Sequence, residues 1–381
     1  MAPGTNSLHI AHVISALGTG GMENIVANLA GEQKRRGYDV HVICIRDFGP
    51  TSEKLKRKEV PFYLCHFKSR LHPGSVRELK NLFEELKINV VQTHNYRPNV
   101  SGTISAKFAK IPVILSTLHT VNRWDTFRQY MMDRLLCRMR DAIVCVSAEV
   151  RDQYQYKTKC PDEKLHVIHN GVPSHYFELT PPDNGFYEKH GINPREQLIL
   201  SVARMVPVKD HVTLLKAFKK VVSEVESVKL LLVGDGPLRD DLEKLAEQSG
   251  IKDKVYFAGY QYDMENWLAA ADMAVLSSHV EGLPCFVVEA MAAGLPVVAT
   301  AVGGTLETLV DGESGFFAPQ EDSDYMAKRI ISLLKDDDLK KRLSENASRK
   351  ARKDFSIESM CDKSISLYKE ILSGKGIKLN I

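Results

Sequence analysis

Four charged side chains in the second half of the chain stand where chemistry can be done. The stretch "EGLPCFVVE" holds Glu281 just before an apolar helix and Glu289 inside it. Ionised carboxylates are almost never fully buried without a partner, so each is expected to hold something. Upstream, "LSVARMVPVKDHVTLLKAF" runs from a buried strand through Arg204 to Lys209, and Asp210 opens a helix. Arginine offers a planar fork to phosphate oxygens and lysine a mobile point charge. Two such cations at a strand end suit a diphosphate. The plain alternative is that Lys209 is an exposed loop lysine with no ligand.

The helix after Glu281 sharpens this reading. Pro284 suits the first helical turn, where its missing N–H costs nothing, and Gly294 is a natural residue to end on. The unbonded N–H groups at Cys285 and Phe286 attract anions. Glu289 lies in the second turn, and helical side chains lean toward the N-terminus. Two carboxylates beside a phosphate site would repel the phosphate. They make sense as acceptors for hydroxyls on either side of it, such as those of a ribose and a sugar. A nucleotide diphospho-sugar fits; the alternative is Glu281 as a cap and Glu289 paired with a neighbour.

The first half has two further candidates. "ALGTGGMENIVANLA" follows the first strand, and Gly18, Gly20 and Gly21 let the backbone turn tightly at the positive end of a helix. A dinucleotide fingerprint would need glycine at Glu23, so nicotinamide binding is poorly supported; a tight turn without ligand remains the bland option. "STLHT" puts His119 at a strand end, where function and a purely structural role weigh about evenly.

These residues need strands and helices to place them. Apolar β-branched runs alternate with helical stretches: "LHIAHVIS", "DVHVICI", "INVVQTH", "PVILSTLHT", "AIVCVS" and "KLHVIHN", then "QLILSVAR", "KLLLVGD", "VYFAGY", "MAVLSS" and "LPVVAT". Runs this continuous read as strands buried on both faces, hence βαβ units and two parallel sheets. The fold class is α/β, two Rossmann-like parallel-sheet domains facing a central cleft. A chain of 381 residues also exceeds what one core usually supports. The turn-rich stretch 170–185 is the expected linker. That gives domains at 1–175 and 176–355, with 356–381 as a C-terminal helix.

Composition is ordinarily globular, with 44% hydrophobic residues and a net charge of +3. The charge is uneven: residues 1–175 hold 25 Lys+Arg against 16 Asp+Glu, giving +9, and the remainder gives −6. The run "KLKRK" at 54–58 reads as a solvated face, or as attraction to an anionic surface. Nothing calls for a nucleic acid. No apolar run reaches the ~18–20 residues that span a bilayer, and no signal peptide is evident. Seven cysteines, scattered and nowhere C-x-x-C, argue for free thiols in a cytoplasmic setting and against a disulfide framework or zinc site. The D-x-D at Asp336–Asp338 reads as a helix opening, so metal independence is expected.

Together, "EGLPCFVVE", "ARMVPVKD", "GTGGMEN", "VCVSAEV", "VIHNGV" and "VGDGP" resemble glycosyltransferase family 4, retaining enzymes of the GT-B fold, over essentially the whole chain. The resemblance implies that Glu281 contacts donor-sugar hydroxyls and Glu289 the ribose. It implies that Arg204 and Lys209 bind the diphosphate and stabilise it as it leaves. Gly20 and Gly21 would lie against the donor phosphates, His119 beside the sugar, and Tyr260 near the base. The donor-binding set then also takes in Leu283, Cys285 and Phe286, with Arg204, Lys209, Glu281 and His119 catalytic and no cofactor. The last helix resembles one that crosses back onto the first domain. The expected reaction moves a hexose-type sugar from a UDP-sugar to a hydroxyl of a glycan, lipid-linked or small-molecule acceptor, in polysaccharide or glycolipid synthesis, in the cytoplasm or peripheral at the inner membrane face. A nucleotide-sugar epimerase, a phosphorylase, or a non-catalytic nucleotide-sugar-binding protein are the competing readings.

Overall fold

A computed structural model describes residues 8–69, 71–120 and 127–377. The chain divides into two compact units, Met1–Gly171 with Ile357–Ile381, and Val172–Ser356.

The first unit is built on a seven-stranded sheet. Its strands are β1 (His9–Ala16), β2 (Asp39–Asp47), β3 (Phe62–Leu64), β4 (Val90–His94), β5 (Val113–Leu118), β6 (Ala142–Cys145) and β7 (Leu165–Val167). They lie in the order β3-β2-β1-β4-β5-β6-β7, all parallel. Every residue of β5 is buried, as expected of a central strand covered on both faces. Leu79 and Phe83 of the helix Pro73–Glu85 pack on Val13, Ile43 and Val91 to form part of one core layer. The helix Ile357–Gly374 is tied to this unit at both ends. Arg36 reaches Asp362, the Tyr368 phenol donates to Gln92 Oε1 in β4, and Lys375 Nζ sits 2.5 Å from Asp141 Oδ1.

The second unit carries β8 (Gln197–Val202), β9 (Val228–Val233), β10 (Val255–Gly259), β11 (Met273–Leu276), β12 (Val297–Thr300) and β13 (Phe316–Ala318). Its order is β10-β9-β8-β11-β12-β13, again all parallel. Leu214, Leu215, Phe218 and Val221 form the apolar stripe of the helix His211–Glu224 and pack on Ile199, Leu230 and Val275. In each sheet the strand order reverses at one place, between β1 and β4 and between β8 and β11. Such reversals leave a crevice beyond the strand ends where ligands bind.

Four expectations need correction. The runs read as strands omit β3 and β13, each three residues long at a sheet edge and too short to show periodicity. Cys137 and Cys160 form a disulfide, with Cα atoms 6.3 Å apart, against the expectation of free thiols; Cys44, Cys65, Cys145, Cys285 and Cys361 are free. The two sulfurs meet because the helices Phe127–Met139 and Ala148–Thr158 pack together, which a separation of 23 residues does not announce. Pro284 is the N-cap residue, one position before the first helical turn of Cys285–Ala292. Asp336 does cap a helix, accepting from Leu339 N at 2.9 Å, but a second D-x-D exists at Asp322–Asp324. It too opens a helix: Asp322 accepts from Tyr325 N at 2.8 Å and Asp324 pairs with Lys220.

Candidate active site

In the second unit the strand-order reversal brings two loops together. After β8 the chain runs through Arg204 into the short 3-10 helix Pro207–Lys209, and Asp210 then caps the helix His211–Glu224 by accepting from Thr213 N at 3.1 Å. After β11 comes the segment Ser277–Glu281. The two loops are stitched by backbone and hydroxyl bonds: His279 N donates to Val208 O at 2.8 Å, and Ser277 Oγ to Lys209 O at 3.0 Å. Across this seam Lys209 Nζ lies 2.5 Å from Glu281 Oε1, which also accepts from Ser278 Oγ at 2.6 Å. Oε2 accepts no bond among the described residues.

Glycines allow this close assembly. Gly234 in "VGDGP" has φ +134, and a Cβ there would stand 2.1 Å from the Ala203 carbonyl. Gly303 has φ +47, and its Cβ would stand 2.2 Å from the Glu281 carbonyl. Side chains at either position would push the β8 loop or Glu281 out of place.

Arg204 shares the loop with Lys209 but is exposed, and its guanidinium has no partner among the described residues. The helix Cys285–Ala292 has no side-chain cap from Pro284, and Cys285 and Phe286 begin its first turn at the positive end of its dipole, with Leu283 buried just before it. At the other end Gly294 (φ +74) and Leu295 donate to Met291 O and Ala290 O at 3.1 and 2.9 Å, the double-bonded helix ending that glycine permits. Glu289 is half-buried in the second turn. This helix packs against the 3-10 helix Ser174–Glu178, where burial, and then the Glu289 carboxylate, push the Tyr176 phenol well up from its usual range. Tyr260, in the loop after β10, is exposed and meets Tyr262 edge-on at 4.9 Å.

The first unit holds the rest. Gly20 is the N-cap of the helix Gly21–Arg35, again with no side-chain cap, and a Cβ on it would strike the Glu23 carboxylate at 2.3 Å. His119 stands immediately after β5 and is not alone. Its Nε2 lies 3.0 Å from His94 Nδ1; His94 Nε2 lies 3.0 Å from His12 Nδ1; His12 Nε2 lies 2.8 Å from Gln33 Oε1. Burial pushes the pKa values of His12 and His119 down to about 4 and holds His94 well below its usual range, so all three are neutral near pH 7. His12 and His94 escaped the sequence reading, although both stand on strands neighbouring the switch point. The "KLKRK" run is dispersed: Leu55 is buried, Lys56 pairs with Glu53 at 2.6 Å, and Lys58 is half-buried beside Gly31.

Thus Lys209 and Glu281 touch, Arg204 shares the loop of Lys209, and Glu289 shares the helix opened by Cys285 and Phe286. Tyr260 stands on another loop of the same sheet, and Gly20, Gly21 and His119 belong to the other unit. Among the described residues no group of three His, Cys, Asp or Glu could hold a metal ion, and no helix is long and apolar enough to cross a membrane.

Two all-parallel α/β units, each with one strand-order reversal and the second carrying charged loops there, have the GT-B architecture. Residues 19–176 match the model described as Glycosyltransferase Family 4, and residues 185–350 the model of Glycosyl transferases group 1. The chain belongs to glycosyltransferase family 4. It is 29% identical over 233 residues to N-acetyl-alpha-D-glucosaminyl L-malate synthase of Bacillus anthracis, covering 61% of this chain and 60% of that protein. It is 25% identical over 353 residues to the UDP-Gal:alpha-D-GlcNAc-diphosphoundecaprenol alpha-1,3-galactosyltransferase of Escherichia coli, covering 89% and 90%. The structure of Anabaena HepE with UDP and glucose superposes with a TM-score of 0.84 at 19% identity, covering 95% of this chain and all (100%) of that one.

Proposed function

We propose that this glycosyltransferase is a retaining, metal-independent hexosyltransferase that uses a UDP-sugar. The acceptor is a hydroxyl of a glycan or lipid-linked substrate, in surface polysaccharide or glycolipid synthesis on the cytoplasmic side of a membrane. The observation that carries it is the Lys209–Glu281 pair, 2.5 Å apart at the switch point of the second sheet. Two carboxylates alone would repel a diphosphate. With Lys209 against it, Glu281 presents little net charge, and Oε2 is left to accept a sugar hydroxyl. Arg204 and the N–H groups of Cys285 and Phe286 add positive potential for the phosphates, and Glu289 is placed to accept from a ribose. Supporting the choice of UDP are the UDP-Gal donor in the name of the Escherichia coli relative and the UDP held by HepE.

In the reaction, the bond between the sugar's anomeric carbon and the β-phosphate oxygen breaks as the acceptor oxygen bonds to the same face of that carbon. The acceptor's proton passes to the departing phosphate, and UDP leaves. Negative charge grows on that phosphate, and preorganised cations there lower the barrier; removing one such donor costs about 10²–10³ in rate in measured systems.

The decisive experiment is thermal stabilisation by UDP-, GDP- and ADP-sugars, alongside nucleotide release. A ligand that binds the native state raises the melting temperature by mass action. A rise with UDP-sugars that is reduced in Glu289→Ala supports the donor site. No rise with any nucleotide sugar overturns it.

The basic first half points the same unit toward an anionic bilayer. On the helix Phe127–Met139, Arg128, Met131, Arg134, Leu135 and Arg138 are exposed along one side, while Asp133, Leu136 and Cys137 are buried on the other. Arginines interleaved with large apolar side chains are the composition of an interfacial helix.

A further inference from the structure

The chain His119–His94–His12–Gln33 fixes where each proton sits. Gln33 belongs to the helix Gly21–Arg35 and is fully buried (0% exposed) with its Oε1 toward His12 Nε2. A carbonyl oxygen only accepts, so His12 Nε2 carries the hydrogen. A neutral imidazole has one N–H, which leaves His12 Nδ1 a bare acceptor, and His94 Nε2 must donate to it. The same step repeats: His94 Nδ1 becomes the acceptor, and His119 Nε2 donates to it. His119 is then left with Nδ1 unprotonated. That atom is buried and has no partner among the described residues.

We propose that His94, His12 and Gln33 are positioning residues that lock His119 in one tautomer, with Nδ1 held ready to accept a hydrogen bond from a substrate hydroxyl. A buried acceptor without a donor is rare in native structures, and here a ligand hydroxyl supplies the missing donor. A neutral ring offering only a lone pair favours a hydroxyl and disfavours a phosphate, so His119 Nδ1 takes a sugar hydroxyl rather than a phosphate oxygen. The chain is a lock and not a proton exit, because it terminates on an amide carbonyl that does not take up a proton near pH 7. The catalytic part of this inference rests on the transferase reading above; the tautomer part does not.

Two leucine and glutamine variants test it. His94→Leu removes the acceptor for His119 Nε2–H, whereas His94→Gln offers a carbonyl in its place. Nitrogen-15 ring spectra of histidine-labelled protein, with His119 assigned through His119→Ala, report the tautomer directly. The expected result is His119 with protonated Nε2 and bare Nδ1 in the native protein and in His94→Gln, and a mixture of tautomers in His94→Leu. In parallel, kcat is expected to fall about tenfold or more in His94→Leu and to be largely restored in His94→Gln, as when an outer partner orients a working histidine. KM for the donor should move little. Circular dichroism checks that both variants fold, and Gln33→Leu repeats the test from the far end if His94→Leu does not. A proton on His119 Nδ1 in the native protein overturns the lock. Equal kcat in the two His94 variants overturns its catalytic role. A native protein that shows the lock but turns over no nucleotide sugar overturns the transferase reading and leaves the lock standing.

Discussion

The Lys209 ammonium and the Glu281 carboxylate meet at 2.5 Å, although 72 residues separate them, because the loops after β8 and β11 adjoin where the sheet order reverses. The Lys209 side chain is 20% exposed and that of Glu281 10%, so water screens the pair only partly. Each ion therefore depends on the other. Under the proposed function, donor binding exchanges this contact for Lys209 to phosphate and Glu281 to sugar hydroxyls.

Lys209→Ala is expected to act twice. It leaves a nearly buried carboxylate unpaired, a change that costs about 3–5 kcal/mol when a buried pair is broken from one side. It also removes a cation from the leaving phosphate, lowering kcat by about 10²–10³. The double variant Lys209→Met with Glu281→Gln removes both charges. It should recover much of the melting temperature and none of the activity. Recovery of activity in the double variant, or a loss in Lys209→Ala confined to KM, would show that the lysine does not serve the transition state.

Metal dependence is tested by chelation. The proposed function assigns to Arg204 and Lys209 the positive charge that a divalent ion would otherwise bring to a diphosphate, and Asp322 and Asp336 of the two D-x-D pairs are engaged as helix caps. Enzyme dialysed against EDTA is expected to keep its rate. Abolition by EDTA with restoration by Mg²⁺ or Mn²⁺ contradicts this.

Stability should fall with acid in a defined window. Burial holds His12, His119 and His211 at about 4, below the value of 6.5 that each has when unfolded. The unfolded chain therefore binds more protons than the folded one between those values. The contribution is fully present above pH 6.5 and is lost on descending to about 4, at up to about 1.4 kcal/mol per pH unit and histidine. Glu265, held at about 2 by its His175 hydrogen bond, adds a loss of the same sign only below about 4.5. Urea titrations at pH 7.5, 6.5 and 5.0 measure this. Equal midpoints at pH 6.5 and 5.0 refute it, and His211→Phe should flatten the slope.

The proposed membrane docking rests on charge and apolar area on one helix. Co-sedimentation with vesicles containing phosphatidylglycerol is expected to exceed that with neutral vesicles and to weaken with salt. Replacing Arg128, Arg134 and Arg138 by serine should abolish the preference. Equal binding to both vesicle types removes this helix as the docking face.

That Arg204, Lys209, Glu281 and Glu289 stand just after strands or in the helix that follows could be read from the sequence, because charged residues after buried strands and the E-x7-E spacing mark them; that Lys209 meets Glu281 could not. Periodicity places a strand, and the strand places whatever follows it. Edge strands of three residues such as Phe62–Leu64 and Phe316–Ala318 carry no periodicity, so they were invisible. Ser278, which shares Glu281 Oε1 with Lys209, looks like any strand-end serine until the loops are closed. His12 and His94 each read as a single histidine inside an apolar run; only the pairing of β1 with β4, which sets His12 beside Gln92, gathers them. The Cys137–Cys160 bridge depends on helix packing and on no spacing rule.

The second unit is an insertion. Its first residue, Val172, and its last, Ser356, form a β-bridge with each other, and Val172 N donates to Phe355 O at 2.8 Å. Chain leaves the first unit at Gly171 and re-enters it at Ile357, and Gly171 N already lies 3.3 Å from Met360 Sδ. Cutting at these two junctions therefore yields one continuous module with adjoining ends and one remainder that a short linker can close. The natural seams for grafting another family member's corresponding module onto this protein are thus Gly171–Val172 and Ser356–Ile357, and both must be cut together.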